Sequence, residues 1–378
     1  MHPLPPLSLY VHIPWCVRKC PYCDFNSHER SSPLPEQAYV QAIENDLRAD
    51  AALAQGRQLQ SIFFGGGTPS LFTSTAIGQI IETAEKLFGF APDIEITLEA
   101  NPGTAEFGNF NDLRLAGVNR LSLGIQSFND GHLQALGRIH GSAEAVRAYE
   151  LARKAGFNNI NLDLMHGLPD QTEKQAMKDL RQAFALKPDH ISWYQLTIEP
   201  NTIFYNRPPK LPVDDVLADI QDAGCELLAS QGYQQYEVSA YARSGRQSRH
   251  NLNYWQFGDY LAAGAGAHGK ITHRAPDDIL RYRKTRLPDD YLNDQKAFTA
   301  GSEKIPTDAL ALEFMMNALR LNEGFAPSLF ASRTGLSFAS IEPQIKKLEN
   351  RGLLQTTDQG VHTTALGQRF LNEVLEHF

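Results

Sequence analysis

Apolar positions in the first two-thirds of the chain fall into short β-type runs, separated by longer runs of helical periodicity. The first run, Leu7–Ile13, reads as a strand. Five more strands are predicted at 61–64, 93–99, 120–125, 160–165 and 190–196. Helices are predicted between them, over about 36–54, 73–88, 143–155 and 173–186. Strand followed by helix, repeated six times, implies parallel pairing with helices outside. The expected class is α/β, a partial (β/α)6 TIM-type barrel open on one side. From pattern alone, a doubly wound open sheet is the alternative.

The pattern changes beyond residue 236. Residues 237–305 hold a glycine-rich run at 258–269, and 281–299 read as an exposed, mobile connector. From about 306, helices are predicted at 309–321, 326–334 and 340–350. A short hairpin and a last helix to Phe378 follow. That order suggests a small α+β, winged-helix-like C-terminal domain. The expected division is therefore 1–236, 237–305 and 306–378.

Composition narrows the class. Of 378 residues, 42% are hydrophobic and 21% charged, ordinary for a globular protein with one large and one small domain. The net charge of −8 argues against broad nucleic-acid binding. Lys346, Lys347 and Arg351 give the C-terminal module too little charge for a recognition helix, so no nucleic-acid partner is expected. No apolar stretch is long enough to span a membrane, and no signal peptide is visible; a cytoplasmic protein, not an integral membrane one, is expected.

The chemistry starts with cysteine spacing. Cys16, Cys20 and Cys23 form C-x3-C-x2-C. A loop this tight can bring three thiolates to one inorganic centre. A closed zinc site wants four protein ligands, and His12 or His28 could supply the fourth. An iron–sulfur cube held by three thiolates leaves one iron open. Cys225, far downstream in a helical stretch, reads as a packed core thiol.

Other unusual residues fall where the predicted strands end, the rim on which barrel folds build their sites. Gly65-Gly66-Gly67-Thr68 follows the second strand, Glu99 closes the third and Gln126 follows the fourth. Arg138 comes after it, Asp163 lies in the fifth and Thr197 ends the sixth. Any one could be a cap or turn residue. Glycines without Cβ let backbone groups approach a ligand closely, but no Gly-Lys-Ser/Thr follows, so this is not a phosphate loop.

The cysteine motif resembles that of the radical SAM superfamily. There three cysteines hold a [4Fe–4S] cluster, and the amino and carboxylate groups of S-adenosylmethionine (SAM) chelate the open iron. Further motifs resemble the oxygen-independent coproporphyrinogen III oxidase family: Tyr10-Val-His-Ile-Pro14, Phe64-Gly-Gly-Gly-Thr-Pro-Ser70, Glu99-Ala-Asn-Pro-Gly103, Gly124-Ile-Gln-Ser-Phe128, Leu136-Gly-Arg-Ile-His140 and Asn161-Leu-Asp-Leu-Met-His-Gly-Leu-Pro169. By position, that resemblance implies SAM contacts at Tyr10, Tyr22, Gly66, Gly67, Thr68, Glu99, Gln126, Arg138, Asp163 and Thr197.

The chain departs from the oxidases at two places. They carry another cysteine two positions after the third, where this chain has Phe25, and a longer N-terminal extension, where only nine residues precede Tyr10. In addition, His250-Asn-Leu-Asn-Tyr-Trp255 has the form H-N-x-x-Y-W, which resembles the HemW-type heme-chaperone branch. That resemblance implies a heme carrier. His250 would be the candidate iron ligand, with Tyr254 and Trp255 against the macrocycle. It also implies acceptor heme proteins as partners, for instance respiratory ones, and a cluster-dependent homodimer. A structural reading of the string, a buried aromatic anchor with a hydrogen-bonded histidine, is the alternative.

Overall fold

The computed structural model describes residues 3–29, 33–103, 110–274 and 278–378. Six parallel strands form its centre: β1 Leu7–Ile13, β2 Leu59–Gly66, β3 Phe90–Ala100, β4 Arg120–Gln126, β5 Ile160–His166 and β6 His190–Gln195. Each sits where the alternation of apolar runs puts it, within a few residues. Burial runs almost unbroken along β1, β4 and β5, as it must when helices cover one face and the barrel interior fills the other. The helices return the chain between strands: α1 Glu36–Ala49, α2 Ser74–Phe88, α3 Ser142–Lys154, α4 Glu173–Leu186 and α5 Asp214–Ser230. Thr73 caps α2 and Thr172 caps α4, each accepting a backbone N–H three residues on.

The sheet does not stop at six strands. A hairpin, β7 Gln234–Glu237 and β8 Ala240–Ala242, pairs antiparallel with β6, so the expected boundary at 236 falls inside a strand. At the other edge, β9 Asp259–Ala263 lies parallel to β1. It is followed by antiparallel β10 His268–His273, β11 Asp278–Lys284 and β12 Thr299–Lys304. The order is β12-β11-β10-β9-β1-β2-β3-β4-β5-β6-β8-β7, a single sheet with two open ends. The partial barrel is therefore the right class, widened by a four-stranded wing.

That wing corrects one expectation. Residues 281–299 are not an exposed connector: they contain most of β11, a short helix at Pro288–Tyr291 and the start of β12. The polar sequence misled because one of its charges, Lys284, is paired inside. Lys284 is buried and donates to Asp46 Oδ1 (2.6 Å) and Asp50 Oδ2 (2.7 Å) of the α1 end. Tyr291, also buried, donates to Asp46 Oδ2 at 2.6 Å. Lys284→Met would strand two carboxylates and cost about 3–5 kcal/mol. Urea denaturation should show the midpoint fall at unchanged slope.

The C-terminal unit has helices Leu310–Ala318, Pro327–Thr334 and Glu342–Asn350, then hairpin β13 Leu354–Thr357 and β14 Gly360–Thr363. Two short helices, Ala365–Arg369 and Leu371–Leu375, stand where one was expected. Phe314, Phe330, Leu348, Val361 and Val374 form its own core, which Phe257 joins from the barrel side. This is the winged-helix-like order read from the sequence. Among the described residues, no helix is long and apolar enough to cross a membrane.

Candidate functional site

The strand ends of β2 to β6 open onto a cavity of about 340 Å³, lined by Cys16, Cys20 and Cys23. All three thiols are free and partly exposed. Their loop is held at both ends. The Cys23 N–H donates to the Cys20 carbonyl, closing a turn, and the His28 N–H donates to the Pro14 carbonyl. Burial pushes the Cys16 thiol up to about 11, with the neighbouring Cys23 and Cys20 adding to it and the Thr68 hydroxyl opposing it. Among the described residues, no three His, Cys, Asp or Glu groups stand ready to hold a single metal ion. His12 offers no fourth zinc ligand: its Nδ1 accepts from Tyr10 Oη (3.0 Å) and its Nε2 donates to the Asn26 carbonyl (2.9 Å). His28 is engaged with Asn26 Oδ1 at 3.2 Å.

Facing the thiols are the triglycine and the strand-end acids. Gly66 adopts φ +117°, and a Cβ there would lie 2.6 Å from the His12 ring. At Gly67 a Cβ would meet the Trp15 carbonyl oxygen at 2.5 Å. Only glycine lets the chain pass this close beneath the cysteine loop. Glu99 Oε2 accepts from the Gly66 N–H at 3.3 Å, and the residue is part-buried at the cavity wall. Burial, reinforced by Asp163, pushes the Glu99 carboxyl up to about 8. Asp163 is likewise raised by burial, while Ser122 (2.8 Å) and Asn161 (2.8 Å) hydrogen-bond to it.

Arg138 crosses the cavity. Its Nη2 donates to the Gly124 carbonyl (2.8 Å) and to Asn101 Oδ1, its Nη1 reaches Cys20 Sγ (3.6 Å), and its Nε has no partner. Asn101 in turn donates to Thr68 Oγ1 at 2.9 Å. Gln126 takes a positive φ of 69°, rare for a residue with a side chain, and accepts from Tyr194 Oη at 2.7 Å. Tyr22 lies beside Arg138 and packs near Phe204.

The structure thus gathers Tyr22, Gly66, Gly67, Thr68, Glu99, Gln126, Arg138 and Asp163 with the three cysteines. Tyr10 opens onto an adjoining cavity instead, and Thr197, past the end of β6 and exposed, lines neither. Sequence reasoning missed Asn101, Ser122, Asn161, Ser192 and Tyr194. Alternation was the available signal: Ser122, Gly124 and Gln126 share one face of β4, and Asn161 and Asp163 one face of β5.

The donor set fits the groups the cysteine motif implies. Two part-buried carboxyls with raised pKa beside a glycine cradle suit a cationic ligand, and an arginine with an unpartnered nitrogen suits an anionic one. An amino acid zwitterion with a sulfonium carries both.

The adjoining cavity is larger, about 720 Å³. It meets the first at Phe25, Gly66 and Glu99, with Tyr10, His12 and Tyr254 on the barrel side and His268, Arg283 and Ala300 of the β10–β12 wing opposite. Phe25 is 62% exposed, an unusual state for a phenylalanine.

His250 stands apart from the cysteine cavity. It sits on helix α6, Arg249–Trp255, behind β2, and is only 1% exposed. Ser61 Oγ lies 2.9 Å from Nδ1 and Tyr254 Oη 3.1 Å from Nε2. Burial lowers its pKa to about 3. Both ring nitrogens are hydrogen-bonded. The hydrogen-bonded anchor is what the structure contains, and its effect is to fix Tyr254, which lines the larger cavity.

Comparison with known proteins agrees with this geometry. Residues 10–183 match the radical SAM superfamily and residues 305–370 the HemN C-terminal domain. The heme chaperone HemW of Haemophilus influenzae is 52% identical, covering 100% of this chain and 99% of that protein. The heme chaperone HemW of Escherichia coli is 51% identical over 99% of this chain and 98% of its own length. Among solved structures, coproporphyrinogen III oxidase (HemN) from Escherichia coli superposes with a TM-score of 0.83 at 24% identity, covering 99% of this chain and 90% of that one. The last likeness establishes a shared fold. With a radical SAM core, a HemN-type C-terminal unit and such identity over its full length, the chain belongs to the HemW family of the radical SAM superfamily.

Proposed function

We propose that this protein is a heme chaperone that binds heme and passes it to acceptor heme proteins. The reading takes Cys16, Cys20 and Cys23 as ligands of a [4Fe–4S] cluster, with exchangeable SAM beside it. When bound, those groups supply one-electron reduction of a sulfonium C–S bond. The chain's own residues have simpler tasks. Glu99 and Asp163 face the cationic part of the ligand, Arg138 its carboxylate, and Gly66 and Gly67 let backbone groups approach it. Tyr22 and the cysteine loop exclude water. The compartment proposed is the cytoplasm, where the thiols stay reduced.

One observation carries the choice between carrier and oxidase. Phe25, an exposed apolar side chain, occupies the junction of the two cavities, at the position where oxidases of this fold carry a further cysteine. A thiol there could take part in redox or ligand chemistry; a phenyl ring can only offer a contact surface. Transfer tests the reading. Heme-loaded protein mixed with the apo form of a respiratory cytochrome should give up its heme faster than to a passive protein scavenger. Equal rates to both would reduce it to a heme-binding protein without a chaperone role.

A further inference from the structure

Resting on the heme-carrier reading, we propose that heme sits in the larger cavity beside the cysteine loop, with His268 as its iron ligand and Arg283 and Arg286 holding its propionates. Four observations lead there. The cavity's 720 Å³ lies within the range of small-molecule sites, about 300–1,000 Å³. Its apolar lining is aromatic: Phe25 from the cysteine loop, with Tyr254 and Tyr260 edge-to-face at 4.4 Å. Flat π surfaces suit a flat macrocycle.

His268 is exposed at the start of β10 and makes no hydrogen bond among the described residues. Burial and the nearby Arg283 and Arg281 lower its pKa, favouring the neutral imidazole that binds metals. Among the described residues, the other histidine lining this cavity, His12, is bonded at both nitrogens.

Arg283 pairs in register with His268 across β10 and β11, and lies over Gly301 of β12, where a Cβ would come within 3.2 Å of the guanidinium. Neither Arg283 nor Arg286 makes an ion pair among the described residues; Arg286 only reaches Asn26 Oδ1 at 3.5 Å. Two unneutralised guanidinium groups on one wall, in a chain of net charge −8, mark a place for a dianionic ligand. The acids on the cavity, Asp24 and Glu99, come from the barrel side. This polarity sets the propionates toward the wing, with the iron beside them at His268.

The wing is also tied to the cysteine loop. Asn26 Nδ2 donates to the carbonyls of Ala265 and Arg286, both at 2.9 Å. Heme binding there would be sensed at the cluster through three residues of chain, from Asn26 to Cys23.

The test is a spectroscopic titration of ferric heme into cluster-loaded protein. Wild type should show a histidine-ligated Soret band. His268→Ala should lose that signature and weaken binding about tenfold or more, with added imidazole restoring the spectrum. A double variant, Arg283→Ala with Arg286→Ala, should lose a similar factor for heme yet bind heme dimethyl ester as wild type does. Iron–sulfur absorbance serves as the folding control. If wild type binds heme and both variants bind it unchanged, the site assignment is overturned and the carrier reading stands. If His250→Ala alone removes the ligand band with its fold intact, the ligand is His250 and the assignment fails. If wild type binds no heme, both readings fall.

Discussion

A Cys20→Ala protein is expected to come out of anaerobic iron and sulfide reconstitution colourless. Three thiols stand at the site among the described residues, and Cys20 lies between the other two in a loop closed by a single turn. Two thiolates cannot hold a cube whose fourth position is already open. The fold should survive, because Cys20 is partly exposed and its one polar contact is Arg138 at 3.6 Å. Cys225→Ala is the matched control. That thiol sits on α5, near Tyr241 Oη (3.2 Å) and Gln221 Nε2 (3.3 Å), away from the cavity. Iron and acid-labile sulfide should drop to background in the first variant and stay at wild-type levels in the second. Full iron retention without Cys20 would remove the cluster from the account.

The second large effect belongs to Glu99. Its carboxyl, ordinarily near 4.5, is raised to about 8 by burial and by Asp163. At neutral pH without ligand it therefore keeps its proton. The sign follows directly. The folded state binds a proton that the unfolded chain does not, so this group's contribution to stability is full below about 4.5 and is lost as pH rises toward 8. A cation beside Glu99 reverses the preference and expels the proton. SAM affinity should accordingly rise by up to about tenfold per pH unit below pH 8 and level off above it. Glu99→Gln should remove most of that slope and weaken SAM binding by about 10- to 100-fold, while the ligand-free variant becomes more heat-stable at pH 8 than wild type. Calorimetry in buffers of different ionisation enthalpy counts the released proton. A pH-independent affinity in wild type would show that no cation meets Glu99.

Which parts of this were legible in the sequence has a physical explanation. The six core strands could be read because their centres are mostly buried and so appear as short apolar-rich runs. The cysteine loop could be read because ligand spacing is local. The β10–β12 wing could not, since Lys284 and its partners Asp46 and Asp50 satisfy one another across more than two hundred residues, and a buried lysine looks like surface in a sequence. The surroundings of His250 were hidden for a related reason. Its motif is the same whether the imidazole faces a ligand or, as here, Ser61 and Tyr254. Thr197, implied by the resemblance, lies two residues past the end of β6 and is exposed. Asn101 and Ser122 escaped notice because their work is to orient Arg138 and Asp163, and small polar residues beside a strand end read as caps.

The most direct test of the central claim is a turnover assay. Cluster-loaded, reduced protein is incubated anaerobically with SAM and coproporphyrinogen III, and products are separated by chromatography. A heme carrier with Phe25 at the cavity junction should form no protoporphyrinogen under conditions where a genuine oxidase does. Sustained protoporphyrinogen formation would make this chain an oxidase and contradict the account.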